Sequence, residues 1–345
     1  MAGSSEKKTN AIVSLVTPGW NGKAFVHRLL DSIIAQTYRP IQYIYVDDGS
    51  TDGTAEIVKG YEEKFKEAGI DFLFIHQENA GMCKALMNGF QYVKGAYLSN
   101  PEYDDILFPE SVERRVEYLE SHPDCAVVVA DAWIVFENNL EERKLLISHK
   151  NPNRFDRNHF YQCLMTNTIF NAACYMVRMD KFDETHPNRK IYDYKYGSNQ
   201  QILLPLYYHW NRGFIEMPLS LYLLRESSLS NREIQSFDGQ MEKLKEYQET
   251  IERTLEGINM PKSDCINYKR HLHTYFQKEI NHLAYKYKNK DAFEQSYSYL
   301  QSVGEITKTE REYDYYMRHR IARFWSEKKP MIFYWLHKLF IVHTL

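Results

Sequence analysis

Residues 40–54 read Pro-Ile-Gln-Tyr-Ile-Tyr-Val-Asp-Asp-Gly-Ser-Thr-Asp-Gly-Thr. The β-branched and aromatic run Ile41 to Val46 predicts a buried strand. It stops at two adjacent carboxylates, Asp47 and Asp48. A Gly-Ser-Thr-Asp turn follows, in which Ser50, Thr51 or Asp52 can cap a helix starting near Thr54. Two acids at the carboxyl end of a parallel strand lie where open α/β sheets bind ligands. A carboxylate there accepts hydrogen bonds from ribose hydroxyls or a base N–H, so a nucleotide is the expected ligand. Standing alone, the segment reads better as an acidic turn before an ordinary helix cap.

Two neighbouring segments change that weighting. Upstream, Ala11-Ile-Val-Ser-Leu-Val-Thr-Pro-Gly-Trp-Asn-Gly is an apolar strand with Thr17, Pro18, Trp20 and Asn21 at its tip. An amphipathic helix follows, with Phe25, Leu29, Leu30, Ile33 and Ile34 at helical spacing. Strand, turn, helix, strand, acidic turn and helix make a right-handed βαβ unit that delivers both polar tips to one sheet edge. Trp20 there offers a stacking surface for a flat base, although core packing is the ordinary use of the residue. Downstream, a short strand at Ala96 to Ser99 runs into Glu102, Tyr103, Asp104 and Asp105, before a helix from about Pro109. Closely spaced carboxylates on a loop suit Mg²⁺ or Mn²⁺ shared with a diphosphate, or equally a solvated turn before a helix that favours acids.

With these pieces assembled, the chain resembles the family 2 glycosyltransferases, inverting enzymes of the GT-A fold that use nucleotide-sugar donors. The resemblance rests on Val16-Thr-Pro-Gly-Trp-Asn-Gly, Ser32-Ile-Ile-Ala-Gln-Thr-Tyr, Val46-Asp-Asp-Gly-Ser-Thr-Asp-Gly-Thr, Glu78-Asn-Ala-Gly and Asp104-Asp105-Ile-Leu with Pro109-Glu110. It covers residues 10 to 135 strongly and 165 to 230 more loosely. The resemblance implies an α/β GT-A fold, Rossmann-like, with a mostly parallel sheet flanked by helices. It also implies that Thr17, Pro18 and Trp20 flank the base, and that Asp48, supported by Asp47, holds the base or ribose. Asn79 and Gly81 would approach the donor. Asp104, with Asp105 and Glu102, would hold Mn²⁺ or Mg²⁺, and Arg225 would neutralise leaving-group charge. Several residues depart from the family pattern around this pocket: Gly19, Met82-Cys83-Lys84, Asn100, Glu102 and Tyr103.

Family members usually carry the catalytic base as an acid at a helix start about ninety residues after the metal motif. Ser198 and Asn199 stand there instead, and neither is a useful base at neutral pH. Asp193 is the nearest carboxylate and the nominated base, or else a surface acid in a Tyr-rich loop. His27, His76 and His209 lack ligand spacing and read as structural.

A net charge of −3 and a pI near 6.5 exclude a broad nucleic-acid-binding surface. Five scattered cysteines make a disulfide framework unexpected and favour a reducing cytoplasm. Residues 1–10 are polar, with no signal peptide, and read as disordered. The expected organisation is a GT-A domain over 11–235, split into a nucleotide half (11–135) and an acceptor half (136–235), then a helical C-terminal region over 236–345. The acceptor half holds a strand-like run at Phe170 to Val177 and a strand pair around Phe214 to Leu224. Three to five helices are expected beyond Ser236. The tail from Pro330 is too short, and too interrupted by His337 and Lys338, to span a bilayer. It reads as a membrane-surface segment beside Lys328 and Lys329, or as a helix docked on the helical region or on a homodimer partner.

The function these readings favour is a cytoplasmic glycosyltransferase, at most peripheral to the membrane. It would move a sugar from a UDP-sugar to a glycan or lipid-linked acceptor in surface polysaccharide synthesis. The alternatives are a non-catalytic sugar-nucleotide binder and a nucleotidyltransferase. The latter wants a Gly-rich basic loop after the first strand, of which Gly19 to Lys23 is a poor version.

Overall fold

β1 (Val13–Gly19) and β2 (Ile41–Asp48) are buried along their whole length, as parallel strands covered on both faces are. The computed structural model describes residues 11–136, 139–148, 151–166, 168, 171–224 and 236–319. Between the two strands, α1 (Val26–Ile34) buries Leu29, Leu30 and Ile33. After β2 come α2 (Thr54–Lys59), α3 (Glu62–Glu67) and β3 (Ile70–Gln77), then α4 (Met82–Phe90) and the short β4 (Tyr97–Ser99). Next in the chain are β5 (Ile106–Leu107), α5 (Ser111–Ser121), β6 (Cys125–Phe136), β7 (Asn139–Leu145), α6 (Phe160–Leu164), β8 (Tyr175–Arg178), α7 (Met179–Thr185), α8 (Ser198–His209) and β9 (Asn211–Leu224).

The strands lie in the order β3-β2-β1-β4-β8-β6-β9-β5, with β7 paired to β6. β3, β2, β1 and β4 are mutually parallel. β8 runs antiparallel to β4 and β6, and β9 parallel to β6. The chain therefore leaves β1 towards β2 and β3 on one side and returns to β4 on the other. That reversal opens a crevice at the carboxyl ends of β1 and β4, the usual ligand position in open α/β sheets.

Several elements differ from the sequence expectations. Asp47 and Asp48 are the last two residues of β2, not residues beyond it. The run ending at Val177 is a strand only from Tyr175, because Ala172–Cys174 forms a 3-10 turn capped by Asn171; Ile169 and Phe170 lie outside the described residues. The pair expected around Phe214 to Leu224 is one strand, whose register against β6 shifts near Asp131. Such bulges let one long strand bend where a hairpin would otherwise turn. β6 is an addition to the sequence expectations, and Asp131 interrupts its apolar run.

The described chain forms two compact units, one of residues up to Arg232 with Glu249–Cys265, the other of Glu233–Gln248 with the chain from Ile266. Helix α9 (Phe237–Gly257) thus contributes its second half to the first unit, where Ile251 and Leu255 are buried and Tyr194 donates to Glu249 at 2.9 Å. A single boundary near residue 236 does not capture this. In the second unit, α10 (Lys262–Tyr287), α11 (Lys290–Ser302) and α12 (Lys308–Arg318) follow. Leu272, Phe276, Leu283, Phe293 and Leu300 are buried there, and α12 starts with a Thr307/Glu310 capping box. Among the described residues no helix is long and apolar enough to cross a membrane. The tail from Pro330 lies outside the described residues.

α4 sits against the sheet at Gly89, where an added Cβ would lie 2.6 Å from Val16 Cγ1 and 3.1 Å from Val46 Cγ2. This approach fixes where the helix N-terminus meets the crevice. Gly89→Ala should destabilise the protein by about 1–3 kcal/mol, the usual cost of overpacking, as a lowered midpoint in chemical denaturation. An unchanged midpoint would mean that the helix does not depend on this contact.

Candidate functional site

The loops after β1 and β2 are stitched together. The Asn21 amide donates to Ser50 Oγ at 3.0 Å, that of Gly22 to Thr54 Oγ1 at 2.9 Å, and that of Lys23 to Asp52 Oδ2 at 3.0 Å. In return the Thr51 amide donates to Asn21 Oδ1 at 2.9 Å. Asp52 also accepts from the Thr54 amide at 3.0 Å, but the N-cap of α2 is Gly53, in the left-handed region at φ +93°, so none of Ser50, Thr51 and Asp52 takes the cap position. Three successive amides of the first loop are therefore spent inside the protein and cannot cradle a phosphate. Thr17 and Pro18 are buried in β1, whereas Trp20 stands 40% exposed at the crevice. Of the residues expected to flank a base, Trp20 alone presents a broad surface.

Asp48 is almost fully buried, and its carboxylate is engaged from the next loop. Oδ1 accepts from Gln77 Nε2 and from the Ala80 amide, both at 2.8 Å, and Oδ2 from the Gly81 amide at 2.9 Å. Asn79 Nδ2 donates to the Asp48 carbonyl at 3.0 Å. Asp48 thus holds the loop carrying Asn79 and Gly81, a role not legible from its own segment. Gly81 leads into α4 at φ +93°. Asp47 is fully buried; its Oδ2 lies 2.7 Å from Nδ1 of His76, and its Oδ1 has no partner among the described residues. In-register pairing of Asp47 with His76 across β2 and β3 brings that histidine to this edge, where it bonds a buried carboxylate.

Beyond β4, Asp105 Oδ2 accepts from the Glu102 amide at 2.9 Å, closing a tight turn. Asp104 and Asp105 are buried while Glu102 and Tyr103 are partly exposed. Tyr103 packs on the first loop: a Cβ at Gly22 would lie 2.5 Å from its ring. The bulky residue at 103 is thus matched by a missing side chain at 22. Glu102, Asp104 and Asp105 are not gathered into a three-ligand metal cluster, and no such cluster exists among the described residues.

The start of α8 meets the start of α4. Ser198 Oγ is 3.6 Å from Met82 Sδ, and buried Cys83 donates to the Tyr194 carbonyl at 3.0 Å. Asn199 Oδ1 accepts from the Tyr175 hydroxyl at 2.8 Å, and burial pushes that hydroxyl's pKa up. Asp193 is half exposed and ion-paired with Lys84 at 2.9 Å. The unusual Met82, Cys83 and Lys84 thus face the loop where a base is sought. Arg225 lies outside the described residues.

Asp52 supplies a pH test of the stitching. Burial raises its pKa, but hydrogen bonds from Thr54 and Lys23 outweigh that and hold the carboxyl below its usual range. A lowered folded-state pKa contributes stability above the unfolded value, about 3.9, and loses it as pH falls through the folded value. Asp52→Asn should therefore be less stable than the parent at neutral pH, with the gap closing in acid, as followed by unfolding midpoints across the acid range. A gap independent of pH would show that the charge plays no part.

Residues 14–186 match the Glycosyl transferase family 2 profile. An uncharacterized glycosyltransferase of Rickettsia bellii (strain RML369-C) is 26% identical over 193 residues, 53% of this chain and 26% of that protein. The chain thus spans only about a quarter of that curated relative. Among solved structures, S. aureus TarS 1-349 in complex with UDP-GlcNAc superposes with a TM-score of 0.63 at 15% identity, covering 89% of this chain and 87% of that one. The mannosyltransferase PcManGT from Pyrobaculum calidifontis, in complex with GDP-Man and Mn²⁺, gives 0.55 at 12%, covering 91% and 86%. The fold is GT-A, and with half its length inside the family match the chain belongs to glycosyl transferase family 2.

Proposed function

We propose that the protein transfers a sugar from a nucleoside-diphosphate donor to an acceptor hydroxyl with inversion, in the synthesis of a surface polysaccharide or glycan. The observation that carries this reading is the switch point: Trp20 after β1, Asp48 at the end of β2 and Asp104 after β4 stand on one sheet edge, around the crevice between β1 and β4. The base would stack on Trp20. A UDP-sugar is the donor favoured, since TarS binds UDP-GlcNAc, and the acceptor is a glycan or a lipid-linked sugar.

Mn²⁺ or Mg²⁺ fits the edge. Such ions commonly take one or two carboxylates together with substrate phosphate oxygens, so Asp104, helped by Asp105 and Glu102, suffices without a three-ligand cluster. When bound, the ion would neutralise charge developing on the departing diphosphate. The acceptor oxygen forms its bond to the anomeric carbon as the bond from that carbon to the diphosphate oxygen breaks, and the hydroxyl proton passes to Asp193. Arg225 would add positive charge beside the leaving group.

Titration with uridine and guanosine diphosphates should show affinity rising with Mn²⁺ over excess chelator. Asp104→Asn should remove about tenfold of it, the equivalent of one charge-assisted contact of about 1.5 kcal/mol. Equal affinity with and without metal, in parent and variant, would overturn the metal assignment.

A second reading, a non-catalytic sugar-nucleotide binder, is favoured by Ser198 and Asn199 at the start of α8 and by the Lys84 ion pair on Asp193. Nucleotidyl transfer is disfavoured, because the amides of the Asn21 to Lys23 loop are already committed. Asp193→Asn should slow transfer by about 10²–10⁴, the usual worth of a general base, with donor affinity near the parent value. A parent protein that binds donor and never releases free diphosphate would decide for the binder.

A further inference from the structure

Two cavities of the first unit lie away from the crevice, and their linings differ in kind. One of about 390 Å³ is walled by Thr185, His186, Gln201 and Thr254 among others. Its polar groups are consumed internally. Thr185 donates to the Lys181 carbonyl, Thr254 to the Thr250 carbonyl, and the Gln201 amide bonds both backbone groups of Tyr192.

The other cavity, about 340 Å³, is lined by Asp124, Asn158, Asn211, His209, Trp210 and two tyrosines. It sits where β6 and β9 begin and α8 ends, which is the amino edge of the sheet, opposite the crevice. Here the polar groups keep capacity. Arg157 and Asn211 Nδ2 both bond Asp124 Oδ2, at 2.5 and 2.8 Å, so Oδ1 takes neither. Asn211 donates with its nitrogen and keeps its oxygen as an acceptor. The Asn158 side chain is exposed, and Lys181 Nζ lies 5.0 Å from the ring centroid of Trp210, which lines the cavity.

We propose that this cavity is a second, non-catalytic saccharide site that takes a neutral pyranose of a glycan chain. Three features select that class. The volume lies in the range of small-molecule sites, about 300–1,000 Å³. Planar amide and carboxylate groups offer adjacent donors and acceptors matching vicinal hydroxyls, and an indole offers an apolar face for the C–H side of a sugar ring. Asn211 and Arg157 hold the Asp124 carboxyl below its usual pKa, so it stays an acceptor for sugar hydroxyls. The site needs no nucleotide and stands independently of the donor reading.

The test uses the full chain with uridine diphosphate saturating. Glucose, N-acetylglucosamine and their β-1,4 tetramers are titrated by calorimetry and saturation-transfer NMR. At least one tetramer should bind in the millimolar range or tighter. Asn158→Ala, a change at an exposed side chain, should weaken it by about tenfold, as expected for losing one or two neutral hydrogen bonds, and Trp210→Ala, which removes the apolar ring face, should weaken it as well, both with nucleotide affinity unchanged. Absence of saccharide binding, or binding displaced by nucleotide and indifferent to Asn158→Ala, would overturn the site. Loss of nucleotide binding alone would instead count against the donor reading.

Discussion

The carboxylate of Asp48 is the constraint on which the sheet edge depends. It ends a strand that is buried on both faces, so its charge must be met from within the protein. Gln77 and the amides of Ala80 and Gly81 meet it. Those bonds fold the loop after β3 back over β2 and set the start of α4. Contact of α4 with β1 and β2 at Gly89 holds the other end. The position of Met82, Cys83 and Lys84 therefore follows from a buried acid and a missing side chain, not from any local preference of their own.

The βαβ order and the existence of α1, α2, β2 and β4 were legible because local pattern and tertiary burial agree there. Ile41 to Val46 is almost wholly β-branched and aromatic because both faces of β2 are covered, with Gln42 the exception, and α1 shows its period because one face is. What sequence could not give is register. Whether Asp47 meets His76, or Tyr175 meets Asn199, depends on strand pairing and on helix placement across long separations. The strand pair expected around Phe214 fails for the same reason. A bulge is invisible to a two-residue period that simply slips by one. The roles of Asp48 and Lys84 were hidden because their partners lie on other elements.

Stitching of the first two loops narrows the chemistry before any substrate is considered. With the amides of Asn21, Gly22 and Lys23 committed to Ser50, Thr54 and Asp52, the loop after β1 lacks the backbone cradle that phosphate-binding loops provide. Recognition of a diphosphate by this loop has to rest on side chains and on any ion they hold. That requirement turns attention to the turn after β4, where Tyr103 packed against Gly22 joins the acidic turn to the stitched loops.

The acids of the edge fall into two physical classes. Asp47, Asp48 and Asp105 are buried and bonded to groups that define the backbone, so removing one leaves donors stranded at about 1–3 kcal/mol each. Asp193 differs. It and Lys84 are each about half exposed, 49% and 51%, and such pairs contribute only about 0–1 kcal/mol. An arriving acceptor could separate them at small cost, which a base must allow and a structural acid must not. Ser198 and Asn199 do not by themselves exclude catalysis, because the helix they begin still brings the Asp193 loop against α4.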